Sequence, residues 1–571
     1  VALAPAAWGA ERSPIFVDVA AEAGIDFVHF NGMSGELYLL EIMGSGGALL
    51  DYDNDGDLDA YLVQGHMIGP GKELEDALIP PQGPQPFSDR LFRNDTMVAA
   101  DGSRQVRFVD VTERSGIGRI AQRYGMGVST GDYDNDGWVD LYLSSYGANQ
   151  LLRNRGDGTF EDVTDSSHAQ DTRWSITASF VDYDRDGFLD LYVVNYVDFS
   201  FANHHPCTMP PSAGTGIPTG TPDYCGPLAY TPLGDRLLHN LGDGTFEDVS
   251  LDVGIQGAVG SGLGATSADF DDNGWPDVYV ANDGLANFLW MNRGDGKLED
   301  EALLAGCAVN RLGNPEASMG VVAEDADGDG DVDLFMTHLT KETNTLFLND
   351  GSGLFLDHTT ESGLGPASFT GTGFGTGFFD YDNDGDLDII IANGAVALID
   401  ELVLEGALYP LYQQNKLFRN LGGLRYEEAT ADAGPVFELS EVSRGVAFGD
   451  IDLDGDPDVL LTNNSGPVRL LLNQVGQDAP FLGLRLLERN RDAYGALVEV
   501  RTTSGLSVSR RIHTDGSYAS ARDPRARVGL GAGGKVEEVR VRWPSGESEI
   551  WRGLEADRYA TVYSNGSGDD R

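Results

Sequence analysis

The chain has 571 residues, 41% hydrophobic and 23% charged, so it is neither a disordered tail nor a small disulfide-stapled module. Its 91 acids against 38 bases give a formal charge of −53, which disfavours nucleic acid and anionic lipid as partners and suits metal cations or basic ones. The 75 glycines are roughly 13% of the chain against an average near 7%, which predicts many tight turns between short strands, and no run of about 18 apolar residues is present to cross a membrane as a helix.

Residues 1–15 read as an N-terminal segment, and the opening VALAPAAWGA is what a cleaved leader would leave behind. From residue 16 to residue 474 three signatures recur, each seven times. The first is F-x-D-V-T-like, beginning with FVDV at Phe16 and continuing through FVDVT at Phe108, FEDVT at Phe160, FEDVS at Phe246 and degenerate copies near Leu298, Phe355 and Tyr426. The second is D-x-D-x-(D/N)-G-x-x-D, starting at Asp51, Asp132, Asp182, Asp269, Asp325, Asp380 and Asp450. The third is L-F-R-N-like, at Leu91, Leu151, Leu237, Leu289, Leu346, Leu417 and Leu470. The acidic windows hold 32 of the 91 acids in 63 residues.

Each acidic window is preceded by a Gly-plus-apolar run such as GGALL or MGVST and followed by one such as DLYLS or DIIIA. Both are strand-sized and rich in β-branched or aromatic residues. Helical periodicity, which a helix–loop–helix calcium hand requires, is absent on both sides. Each window is therefore the tip of a β-hairpin, and the other two signatures supply a third and a fourth strand joined by turns such as RGDGT (155–159). Seven such units predict an all-β, seven-bladed β-propeller over residues 16–474. The strand at Phe16 would complete the last blade beside Leu470–Asn473, which closes the ring and removes two free edges.

The hairpin tips carry the chemistry. Calcium takes six to eight oxygen ligands, and a nine-residue loop supplies them with carboxylates at positions 1, 3, 5 and 9 and a backbone carbonyl at position 7. Gly at position 6 permits the sharp turn. The expected ligands are Asp51, Asp53, Asp55, Asp57 and Asp59; Asp132, Asp134, Asp136, Trp138 and Asp140; Asp182, Asp184, Asp186, Phe188 and Asp190; and Asp269, Asp271, Asn273, Trp275 and Asp277. The last three loops give Asp325, Asp327, Asp329, Asp331 and Asp333; Asp380, Asp382, Asp384, Asp386 and Asp388; and Asp450, Asp452, Asp454, Asp456 and Asp458. Without His or Cys at these positions, zinc and copper are disfavoured. About seven Ca²⁺ sites are expected, at affinities suited to extracellular calcium, so the protein is expected to be exported: secreted, periplasmic or on the cell surface.

Strand alternation puts the calcium loops and the GDG turns on one face. Insertions at about 64–89, 197–234 and 394–414 then fall on the other, where they are either recognition loops or neutral. Cys207 and Cys225 enclose a Pro/Gly-rich stretch of the middle insertion; a disulfide would tie it down and fits an oxidising compartment. His204 and His205 beside it read as ordinary loop residues, and Cys307 as a buried thiol. The elbow-like Gly127-Val-Ser-Thr-Gly131 lies in a strand with no helix after it. The RGD triplets at Arg155 and Arg293 sit in the repeat's own turns, and the sequons at Asn94, Asn463 and Asn565 matter only in a eukaryotic secretory host.

Composition changes after about Gln474. Residues 481–565 hold 13 Arg and one Lys against 11 acids, on alternating runs such as ALVEVRTT and VEEVRVRW that read as a small β-sandwich-like domain. The boundaries are 475–565 for this domain and 566–571 for a tail. Its arginines either clamp onto the acidic propeller, bind an anionic ligand such as a glycan, or form solvated faces.

The loop pattern resembles the integrin-α-type calcium repeats called FG-GAP or VCBS. The whole chain resembles the cartilage acidic protein family, whose bacterial members end in an UnbV/ASPIC domain; NRDAYGALVEVRTTSG, HTDGSYASARDPRARVGLG and the WPSG at Trp543–Gly546 carry that likeness, and the YCGP stretch at Cys225 fits the family pattern. The resemblance and the loops together imply an exported calcium-binding propeller for recognition or adhesion, with a glycan or protein ligand on the calcium-free face. No catalytic constellation is visible. The association of UnbV-type members with enediyne biosynthesis leaves a second reading, a natural-product enzyme with its site in the propeller channel or among the insertion loops.

Overall fold

The computed structural model describes residues 14–83, 87–120, 123–210 and 217–565; the leader-like start and the tail at 566–571 lie outside them. Within residues 16–473 the strands form seven four-stranded antiparallel sheets. The first runs Gly47–Leu50, Asp59–Leu62, Arg90–Asn94 and Phe108–Asp110. The seventh takes three strands from Ser443 to Asn473 and its fourth, Phe16–Asp18, from the other end of the repeat region, with Phe16 opposite Asn473. The innermost strands begin at Gly47, Tyr124, Ser175, Gly262, Val321, Gly373 and Ser443; they neighbour one another in that order, and the last neighbours the first. The chain is an all-β propeller.

In most blades the F-x-D-V-T strand is followed by a helical turn of four residues, such as Thr164–Ser167, which the repeat signatures did not announce. Apolar residues of adjacent blades interdigitate between the sheets, as Leu49, Ala60, Leu62, Phe92, Ala447 and Leu470 do where blade 7 meets blade 1. The closing strand is held the same way: Phe16 is fully buried against Phe379, Tyr381 and Phe437.

Residues 481–563 form two four-stranded sheets. One centres on Phe481–Glu488, paired with Ala526–Gly529 and, in parallel, with Arg558–Tyr563. The other runs Ser507–Arg511, Leu497–Thr502, Val536–Arg542 and Ser548–Trp551. Leu482, Leu484, Val498, Val500, Val539 and Val541 fill the space between them and join the core of blades 2 and 3.

This domain sits on the face of the calcium-type loops and sends one segment, residues 513–525, down the axis of the ring. That segment bonds to the innermost strand of every blade. Leu49 N–H donates to Ala521 O (3.1 Å), Val128 N–H to Ala519 O (3.1 Å) and Val321 N–H to Ser517 O (3.1 Å). Ser179 Oγ and Ser267 N–H donate to Asp515 Oδ2 (2.6 and 2.8 Å), Thr376 N–H to Ser517 Oγ (3.2 Å), and Asp523 N–H to Phe448 O (3.1 Å). Gly46, just before the inner strand of the first blade, has its reason here: a Cβ on it would lie 1.7 Å from Ala519 O. The open channel that an enzymatic reading invokes is therefore filled with protein, because backbone groups lining a ring axis must find partners and the C-terminal domain supplies them.

Phe16→Ala should cost about 3–5 kcal/mol, the usual loss for a fully buried Phe, whereas Val17→Ala on the exposed side of the same strand should stay within about 0.5 kcal/mol. Urea denaturation of the two variants measures both.

Candidate metal centres

In all seven loops the same backbone amides orient the carboxylates. The position 1 aspartate accepts the N–H of the position 6 glycine at 2.7–3.1 Å. The position 5 oxygen, from Asp or from Asn273, accepts the position 7 N–H at 2.7–3.2 Å. The position 9 aspartate is bound twice: one oxygen takes the position 2 N–H at 2.8–3.2 Å, the other the N–H of the strand-three asparagine at 2.7–2.9 Å. The position 6 glycines all have φ between 87° and 101°. Position 4 is left-handed as well, at Asn54, Asn135, Arg185, Asp272, Gly328, Asn383 and Leu453, a second constraint that the sequence pattern left unread because its residues vary.

These bonds leave one oxygen of five position 3 carboxylates and of two position 1 carboxylates without a partner. Oδ1 of Asp53, Asp134, Asp271, Asp382 and Asp452 is buried with no hydrogen bond, as is Oδ1 of Asp51 and Asp182. Carboxylate oxygens of Asp51, Asp53 and Asp59 lie within 4.8 Å of one another, as do those of Asp132, Asp134 and Asp136 and of Asp182, Asp184 and Asp186. Burial, and then the neighbouring negative charge, raises the pKa values of Asp51, Asp132 and Asp182. Asp132 is pushed up to about 7. Asp51 and Asp182 rise to about 6, with Arg485 and Arg491 respectively opposing the shift. Orphaned, crowded anionic oxygens are the donor set of a hard divalent cation, and the residues present fit calcium.

Position 7 contributes no ligand through its side chain where it is aromatic. The rings of Trp138, Phe188 and Trp275 instead cover Gly156, Gly242 and Gly294 of the GDG turns, where a Cβ would come within 2.4–2.8 Å of them. In the third loop His239 intrudes, with Nδ1 3.0 Å from Asp190 Oδ1 and 3.5 Å from Asp184 Oδ2; its bond to Asp190 raises its pKa to about 9. The L-F-R-N asparagine is the functional residue the sequence reading passed over, although it stands in all seven copies. Besides gripping the position 9 aspartate it donates from Nδ2 to the position 2 carbonyl of the preceding blade: Asn94 to Ile451, Asn154 to Tyr52, Asn240 to Tyr133, Asn292 to Tyr183, Asn349 to Phe270 and Asn473 to Tyr381, at 2.7–2.9 Å. Loop and ring are thus one construction.

Over the loops lie the arginines of the C-terminal domain. Arg485 is 3.8 Å from Asp51, Arg491 is 3.7 Å from Asp182, and Arg542 is 3.9 Å from Asp269 and pairs with Asp272. Arg525, Arg489 and Arg527 donate to the carbonyls of Gly56, Asp186 and Gly455. These six arginines clamp the acidic face, whereas Arg501, Arg552 and Arg558 are solvent-exposed and pair with acids of their own domain.

The insertions gather on the opposite face. Ile68, Phe199, Tyr224, Tyr230, Tyr409 and Leu411 share one apolar cluster with Tyr38 and Trp174. Leu398 N–H donates to Asp223 Oδ1 at 3.0 Å, joining two insertions. Cys207 and Cys225 form a disulfide, and Cys307 is a buried free thiol. His204 Nε2 meets Glu36 O at 3.1 Å. Ser129 Oγ of the elbow-like stretch donates to Ala178 O at 2.6 Å and is buried. Asn94 and Asn463 are buried too, so neither sequon is open to a glycan in the folded chain. Among the described residues no helix is long and apolar enough to cross a membrane.

The ASPIC and UnbV family matches residues 487–568, and the FG-GAP-like repeat matches 132–193, 269–336 and 325–391. Human cartilage acidic protein 1 is 24% identical over 311 residues, covering 53% of this chain and 43% of that protein; the match thus spans less than half the relative's length. Among solved structures, the chain is similar to an Agrocybe aegerita lectin that recognises non-reducing terminal N-acetylglucosamine, at 15% identity over 68% of this chain and 90% of that chain with a TM-score of 0.33. It is also similar to YCF48 bound to D1 peptide, at 8% identity over 82% and 100% of the respective chains with a TM-score of 0.39.

The stability of metal-free protein is expected to fall as pH rises through the folded pKa values of its buried loop carboxylates. A carboxylate whose pKa is raised on folding stabilises the fold below its unfolded value near 3.8 and loses that contribution as pH rises through the folded value, here about 6–7 for Asp51, Asp132 and Asp380. With a chelator present, the melting temperature should fall as pH rises from about 5 to about 8, and added calcium should abolish that fall; thermal melts across the range measure it. The chain carries FG-GAP-like repeats followed by a C-terminal ASPIC and UnbV domain, and over about half of its length it is similar to human cartilage acidic protein 1.

Proposed function

We propose that the protein is an exported, calcium-stabilised propeller that works as a recognition or adhesion module, with a glycan or protein ligand on the face formed by its insertions. The orphaned carboxylate oxygens at positions 1 and 3 support the calcium: ionised, they repel one another, and a divalent ion removes that repulsion while satisfying their lone pairs. Calcium, when bound, supplies charge neutralisation at the hairpin tips. Asp51, Asp53, Asp55 and Asp59 and their counterparts would hold it, aimed by the amides of positions 6, 7 and 2.

The observation that carries the recognition reading is the division of the two faces. The loop face is covered by the C-terminal domain, and the axis is filled by the segment that includes Tyr518 and Ala519, both buried. The face left open is the one built from insertions, pinned by the Cys207–Cys225 disulfide, which suits an oxidising, exported setting. Leu228, Leu404 and Leu408 stand exposed on those insertions at 71, 57 and 62%. A catalytic role would need a site other than the axis.

Two measurements test the proposal. Elemental analysis should find calcium at close to seven per chain, and chelation should lower the melting temperature by roughly 10 °C or more; an unchanged melt with no calcium would remove the metal assignment. Glycan arrays and capture of secreted-protein ligands, repeated with Leu404→Glu/Leu408→Glu, should show binding reduced roughly tenfold or more, while Leu303→Glu/Leu304→Glu on a blade's outer helical turn leaves it unchanged. Equal binding by all three proteins would place recognition elsewhere.

A further inference from the structure

Where the C-terminal domain meets blades 5, 6 and 7 it encloses a cavity on which Arg510, Arg511, Arg522, Arg525 and Arg527 converge, with room for several waters. The carboxylates on its wall are already engaged. His513 Nε2 lies 2.9 Å from Glu324, and Arg525 Nε 2.8 Å from Asp523. Asp380 accepts from the N–H groups of Asp384 and Gly385 at 3.0 Å, and Asp450 from Gly455 N–H and the Tyr559 hydroxyl at 2.9 and 2.8 Å.

The guanidiniums, in turn, spend donors on uncharged carbonyls: Arg510 on Gly385, Arg511 on Ala323, Arg525 on Gly56 and Arg527 on Gly455, at 3.0–3.3 Å. Two nitrogens in this group, Nη1 of Arg522 and Nη2 of Arg525, are buried with no hydrogen-bond acceptor. Arg522 has its nearest carboxylate at 3.9 Å and the ring of Phe448 at 5.4 Å, and burial lowers its pKa. A buried cationic donor without an acceptor is costly. A water would satisfy the bond, but the five guanidiniums of the wall face only four carboxylates, Glu324, Asp380, Asp450 and Asp523. Planar guanidiniums arriving from several directions match an anion with more than two oxygens.

We propose that this cavity binds a tetrahedral oxyanion, phosphate or sulfate, through the free N–H groups of Arg522 and Arg525. The anion is either the free inorganic ion or a sulfate or phosphate ester carried on a larger ligand. The site is separate from the recognition face and shares only Asp380 and Asp450, on its wall, with the metal assignment.

Thermal melts and calorimetry of the whole chain in inorganic sulfate and phosphate, against sodium chloride at equal ionic strength, read it. The expected result is a saturable rise in melting temperature in the oxyanions alone, with affinity reduced roughly tenfold or more in Arg522→Gln. A sulfated oligosaccharide that binds no more tightly than sulfate identifies the free ion as occupant, and one that binds more tightly identifies the ester. Should Arg522→Gln fail to fold, selenate soaked into wild-type crystals gives the second reading, with anomalous density expected between Arg522 and Arg525. Melting that follows ionic strength alone, a saturable shift that Arg522→Gln retains, or a cavity free of selenate at saturating concentration overturns the proposal.

Discussion

The position 9 aspartate is the joint on which the rest of the molecule depends. In each blade it is buried at the root of the hairpin and accepts two backbone N–H groups, one from its own loop and one from the asparagine of the third strand. That asparagine then reaches the preceding blade in six of the seven repeats. A carboxylate accepting two amides is worth more than a neutral group in its place. It also fixes an anionic oxygen beside two or three others, so the device that ties blade to blade concentrates charge at one rim. Desolvation raises the pKa of these groups, which is the energetic mark of that crowding and the reason a divalent ion is the natural complement.

The same rim explains the second domain. Arginines that would otherwise face water lie against the loops, some on carboxylates and others on the carbonyls of the tight turns. The domain that carries them is anchored by the segment 513–525, which threads the axis and takes a hydrogen bond from, or gives one to, every blade. A ring of inner strands presents unpaired backbone groups toward its axis; a single segment that bonds to all seven sheets couples the C-terminal domain to the closure of the ring. His513, Glu324 and Asp515 make that coupling polar as well as steric: His513 lies 2.9 Å from Glu324 and 3.1 Å from Asp515, with all three side chains buried. Burial pushes both carboxylates up, but the imidazole and the nearby Arg511 outweigh it and hold them well below their usual pKa range. The opposite face is left to the insertions. There Arg444, buried and donating to the carbonyls of Ile42, Gly394, Ser443 and Ala395, ties two loops to the seventh blade.

Much of this was legible in the chain itself. The repeat of Asp at alternate positions with Gly at position 6, and the strand-sized runs on either side, determined the hairpins, the all-β class and the closing strand at Phe16, because local turn chemistry and a period-two pattern act over a few residues. Two cysteines fencing a Pro/Gly-rich insertion pointed to the Cys207–Cys225 bridge for a similarly local reason. The asparagine of the third signature was visible as a constant letter, but its meaning was not, since its partners lie in the preceding blade. Left-handed position 4 was hidden because Asn, Asp, Arg, Leu and Gly all occupy it. The threaded axis, the arginine clamp over the loops and the cavity around Arg522 were decided only by tertiary structure: each joins residues far apart in the chain, and no local pattern of charge or hydropathy states which distant carbonyl a guanidinium will meet.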